Sequence, residues 1–153
     1  MKYLITTFAL VIGLMAPTAV SLAQTTQSAP APTLFDVNAN APLSVRKTFV
    51  ETNLRDLLAQ LSDIHARVQT ASNRLAKNDI DVNASNTSLT MAHAALLTAK
   101  TNLDIFAQTP LTESPTTVAT LRAQAKAAED SLKTARASLI ESIAALKLTL
   151  NSQ

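Results

Sequence analysis

The chain has 153 residues, 47% hydrophobic and 3% aromatic, with no Cys, no Trp and a single Gly. One glycine cannot supply a phosphate-cradling loop, a dinucleotide-binding turn, a Gly-x-Ser-x-Gly nucleophile elbow or a set of Gly-containing hairpins. The absence of Cys removes disulfides, thiolate metal ligands and cysteine nucleophiles. The 13 basic and 11 acidic side chains are interleaved rather than clustered, so no nucleic-acid partner is expected.

Residues 1–23 have the form of a secretory signal. Lys2 is followed by an apolar stretch from Tyr3 to Met15, Pro17 breaks the helix, and Ser21-Leu22-Ala23 offers small residues before Gln24. An uncleaved anchor is the competing reading, since Tyr3 to Val20 approaches bilayer-spanning length. Thr6, Thr7, Thr18, Pro17 and the small-residue site favour cleavage. The working protein is then exported (periplasmic, cell-surface or secreted) with no stable membrane insertion, and the one glycine, Gly13, leaves with the signal. Residues 24–42 are rich in Pro, Ala and Thr, lack a helical period and read as a flexible spacer. Their one apolar cluster, Leu34-Phe35-Asp36-Val37, either folds back to bury Phe35 on the helical domain or presents it to a partner.

From there to the C-terminus, residues 43–153, the pattern predicts a three-helix bundle. A 3-4 repeat of Val50, Leu54, Leu57, Leu61, Ile64, Val68, Ala71 and Leu75 marks a first helix over about 44–77. Asn78 is expected at the left-handed position that closes it. Asp81 is the expected N-cap of a second helix, about 82–108, carried by Val82, Leu89, Ala92, Leu96, Ala99, Leu103 and Phe106, with Ser85 as a polar intrusion. Pro110 ends that helix. Ser114-Pro115 starts a third, about 115–150, on Val118, Leu121, Ala125, Ala128, Leu132, Ala135, Leu139, Ile143, Leu146 and Leu150. The step Ala135–Leu139–Ile143 reads as a 4-4 stutter. Short links force antiparallel neighbours, giving an elongated, coiled-coil-like, up-down-up bundle. Glu51–Arg55, Asp63–Arg67 and Glu129–Lys133 are expected to pair across one turn.

Few residues suggest chemistry. His65 and His93 each follow a d position, and counting from the link near residue 80 places them within about one helical turn of level across the seam of the first two helices. With Asp63 or Asp104 nearby they are weak metal-ligand candidates, although no third ligand is specified; otherwise they are solvated boundary residues. Asp79, Asp81 and Asn83 read as caps, because the turn lacks the Gly and distal Glu of a calcium loop. Asn83-Ala84-Ser85 and Asn86-Thr87-Ser88 match the glycosylation pattern but are set in an expected helix. Phe35, Met91, Leu97 and Ile140 lie off the main stripe or outside it and are weak candidates for partner contact. No catalytic residue and no cofactor is expected.

The run Arg74-Leu75-Ala76-Lys77, the turn Asn78-Asp79-Ile80-Asp81-Val82, and the stretches Ala94-Ala95-Leu96-Leu97-Thr98-Ala99-Lys100 and Ala137-Ser138-Leu139-Ile140-Glu141-Ser142-Ile143-Ala144-Ala145-Leu146-Lys147 follow a signal and a polar spacer. In that order the chain resembles a loose class of short exported, Ala-rich helical proteins of small-genome, candidate-phylum (Patescibacteria-type) bacteria. Members usually have Gly where this chain has Asn78, and the class brings no established activity. The expectation is a non-enzymatic extracytoplasmic structural or protein-interaction module that binds a protein or cell-envelope component. The alternatives are a periplasmic holdase-type chaperone and, further off, a metal-binding exported protein. The sequence leaves the oligomeric state open.

Overall fold

The computed structural model describes residues 34–36 and 40–152; the signal-like segment and most of the spacer lie outside the described residues. Within them the protein is all-helical. A 3-10 turn, Leu34–Asp36, precedes α1 (Leu43–Ala76), α2 (Asn83–Gln108) and α3 (Pro115–Asn151), and no strand occurs among the described residues.

The links show how a glycine-free stretch reverses direction. The carbonyl of Leu75 accepts from Ile80 N at 3.2 Å and that of Ala76 from Asp79 N at 3.1 Å, the paired bonds of a Schellman closure. The left-handed residue in it is Asp79, with φ 59°, not Asn78. Asn78 instead turns its side chain back, donating from Nδ2 to Arg74 O at 2.9 Å. Asp and Asn both tolerate positive φ, so composition alone did not choose between neighbours. Asp81 also acts differently from expectation. Val82 holds the N-cap position of α2, and Asp81 Oδ1 accepts from Asn83 N at 2.9 Å, one residue ahead of a conventional cap. At the second link Ser114 caps α3, accepting from Thr117 N, with Pro115 at the first helical position where its missing N–H costs nothing.

Cross-helix hydrogen bonds fix the register. Ser72–Asn86 and Arg55–Asp104 set α1 antiparallel to α2. Ser85–Ser142, Asn102–Ser131 and Thr109–Gln124 set α2 antiparallel to α3. Stepping seven residues each way from Ser85–Ser142 puts Ala92 level with Ala135, Ala99 with Ala128, and Phe106 with Leu121. All eight residues are buried. Three successive layers of Ser or Ala let the two backbones approach closely, and α2 and α3 are accordingly the most intimately packed pair.

That register also corrects the stutter. Ser142 is fully buried and occupies the d position after Leu139, so the 3-4 repeat runs on through Leu146, with Ile143 as its flank. A polar residue at a core position hid the continuity. The hydroxyls of Ser85 and Ser142 bond each other at 2.7 Å, which makes the position tolerable.

Helix α1 packs more thinly. Leu54, Leu61, Val68 and Leu75, spaced by seven, are buried, whereas Leu57 is 38% exposed and Ile64 and Ala71 are only half-buried. Three of the eight expected seam positions are therefore not buried, while Val50 and Ser72 are buried beside that row. Helices α2 and α3 pack on each other more extensively than α1 packs on either, and α1 rests on them mainly through that row.

The 3-10 turn stitches α1 to α3. Phe35 is 1% exposed, its ring lies 4.3 Å from the Arg46 guanidinium, and its carbonyl accepts from Arg46 Nη2 at 2.9 Å. Leu34 N donates to Glu129 Oε1 at 2.8 Å. Glu129 thus serves the turn, and Lys133 pairs with Asp130 at 3.6 Å rather than with Glu129. The other two expected pairs, Glu51–Arg55 at 2.9 Å and Asp63–Arg67 at 3.8 Å, are present.

Candidate functional site

Two surfaces carry side chains beyond those that hold the bundle together. The first is the polar seam along α1 and α2. It is built from Lys47, at an a position of α1, and from e and b positions of both helices, which the antiparallel register places side by side. Lys47 Nζ donates to the carbonyls of Ala107 and Thr109, both at 2.7 Å, and so closes the C-terminal end of α2. One rung below, Arg55 bonds Glu51 within α1 and reaches Asp104 at 3.4 Å. Lys100 completes the group, 2.6 Å from Asp104. The hydrogen bond from Lys100 is the largest influence holding the Asp104 carboxyl below the ordinary carboxylate range, with the charges of Lys100 and Arg55 adding to it. Glu51 and then Asp104 likewise raise the Arg55 guanidinium.

The next rung contains the histidines. His65 and His93 lie with ring centroids 5.4 Å apart and planes tilted by 33°. His65 is half-buried and contacts Leu89 O through Nε2 at 3.2 Å; His93 is exposed. The structure thus brings together the two histidines that sequence counting placed within about one helical turn of level. It does not add the acids. Asp104 is engaged by Lys100 and Arg55, and Asp63 lies 3.8 Å from Arg67. Among the described residues no group of three or more His, Cys, Asp or Glu side chains converges.

The second surface is the outer face of α2. Lys100 and Asp104 are the only Lys, Arg, Asp or Glu residues in this helix, and they pair with each other on the seam side. Apart from His93 and from Asn83, Ala84 and Gln108 at the ends, the other exposed residues are Thr87, Thr90, Met91, Ala94, Leu97, Thr98, Thr101 and Ile105. Each of the four threonine hydroxyls donates to the carbonyl four residues earlier, at 3.0–3.1 Å. Their methyl groups are left as the outward surface. Met91 and Leu97 are each 54% exposed and Ile105 is 48% exposed. The face is apolar in character although half its residues are nominally polar.

Of the remaining candidates, Ile140 is exposed on α3 and Phe35 is folded into the bundle. The sequence reading did not single out Ile105, nor Leu148, which is 71% exposed beside Asp81, Val82 and Thr149 in an open crevice at the far end. An apolar residue at an outer heptad position is the signal that marks both. No helix among the described residues is long and apolar enough to cross a membrane. Comparison with protein-family models, with curated proteins and with solved structures finds no match.

Proposed function

We propose that the protein is a non-enzymatic, exported interaction module: an elongated, coiled-coil-like helical bundle, carried on a flexible spacer, that binds another protein through the outer face of α2. The observation that carries this reading is the exposed surface of Met91, Leu97 and Ile105 among threonines whose hydroxyls are turned onto their own helix, bordered on α2 by the mutually paired Lys100 and Asp104. Such a face suits an uncharged, apolar partner surface. A charged partner group would lose its hydration there and gain no counter-charge. Export is supported by the signal-like pattern of residues 1–23, with Lys2, the apolar run and Ser21-Leu22-Ala23.

The test is a photo-crosslinking residue placed at Leu97 in the protein expressed in its own cells, with the same probe at Ala123 on α3 as control. One discrete protein adduct at position 97, lost when Met91 is changed to Glu, is the expected result. Absence of an adduct at 97, or the same adducts at 123, would overturn the reading. A chaperone that shields unfolded clients is the second reading, favoured by the adaptable Met91 beside Leu97. Stoichiometric suppression of client aggregation by the purified protein, weakened by Met91→Glu, would put it first.

A further inference from the structure

We infer that His65 and His93 form a two-imidazole binding site for a divalent transition-metal ion, Cu²⁺ foremost, independent of the partner face on α2. Three observations lead to it. The rings come from different helices, and the α1–α2 register holds them 5.4 Å apart between centroids. An ion about 2.0–2.1 Å from a nitrogen of each ring stands about 3 Å from each centroid, so two imidazoles on one tetrahedral ion have centroids roughly 5 Å apart. The observed separation of 5.4 Å is close to that spacing.

The second observation concerns the tautomer. Leu89 O, 3.2 Å from His65 Nε2, is a carbonyl and can only accept. As a hydrogen bond this contact has Nε2–H donating, and in the neutral imidazole Nδ1 then keeps its lone pair. A ring nitrogen held on a backbone carbonyl while the other stays free is the arrangement that metal-ligating histidines adopt, because it fixes the ring and raises the basicity of the ligating nitrogen. Third, His93 is exposed and His65 half-buried, which gives an ion a path from solvent and leaves its other positions to water. With two nitrogen donors, no thiolate in the sequence and no third protein ligand among the described residues, affinity follows the general order for divalent ions, in which Cu²⁺ stands above Ni²⁺ and Zn²⁺.

The experiment titrates the purified full chain with CuCl₂, reading the melting temperature and the electron paramagnetic resonance spectrum. His93→Ala removes an exposed ligand whose ring contact is with His65 alone among the described residues, and His65→Gln keeps an amide donor for Leu89 O. The expected result is one Cu²⁺ per chain, two imidazole nitrogens in the spectrum and a saturable rise in melting temperature. Either substitution should weaken binding by more than about tenfold, since losing even an outer-shell partner of a ligating histidine costs at least that much. An unchanged melting temperature in the parent protein would overturn the inference. So would a rise that persists undiminished in His93→Ala, or a spectrum with fewer than two imidazole nitrogens.

Discussion

The buried pair Ser85 and Ser142 specifies the α2–α3 register in a way that apolar side chains do not. Each hydroxyl is the other's partner at 2.7 Å, inside a seam otherwise lined by apolar side chains such as Ala92, Ala99 and Phe106, and no buried side-chain polar atom among the described residues lacks a partner. Replacing one serine strands a hydroxyl; replacing both removes the polar demand along with its satisfaction. Ser142→Ala alone should therefore cost about 1–2 kcal/mol, while Ser85→Ala/Ser142→Ala should return most of that loss. Urea unfolding of the four proteins gives the coupling directly as a double-mutant cycle. Additive losses would show that the hydroxyls do not depend on each other. This pair also marks where the sequence was hardest to read. A hydrophobic count passes over Ser142 and stops at Ile143, because the cue for burial was not apolarity but a partner 57 residues away. Asp79 and Asn78 pose the same difficulty in the backbone. Both accept the left-handed conformation, and which one adopts it depends on where the two closing hydrogen bonds of α1 fall.

Between elements, the three helices are unequal partners. The spacing of apolar residues was enough to show three helices, and Pro110, Ser114 and Pro115 marked where the second ends and the third begins. The spacing did not show how unevenly α1 would pack, because a 3-4 repeat records which residues can be buried and not how wide a groove awaits them. Small residues on α2 and α3 draw that pair together, and α1 rides on the result through Leu54, Leu61, Val68 and Leu75. Two neighbouring leucines on α1 should then respond differently. Leu61→Ala is expected to cost about 2–5 kcal/mol, as in other packed cores. Leu57→Ala, at a 38% exposed position, should cost less than about 1 kcal/mol. Equal losses in chemical denaturation would mean that α1 uses both rows. The histidine pair was legible at this scale too: its heptad positions and distance from the link gave its level, while the tautomer needed Leu89 O, which no side-chain pattern encodes.

For the molecule as a whole, the contacts of Leu34 and Phe35 tie the chain preceding α1 to two helices at once. Arg46 holds the Phe35 carbonyl and ring from α1, and Glu129 holds the Leu34 amide from α3. Phe35→Ala should lower stability by about 1.5–3 kcal/mol, the worth of burying such a ring. It should also release Leu34 N, measured as faster amide exchange there and in the first turns of α1. Exchange rates unchanged from the parent protein would show that the turn docks without its ring. The same clasp decides how the protein would meet a mechanical load. A pull applied at Leu34 passes through the clasp to Arg46, in the first turn of α1, and to Glu129 of α3, so it is divided between two helices. A bundle held by such a fitting resists tension by shear across its side chains, and its first yielding event would be the withdrawal of a single phenylalanine.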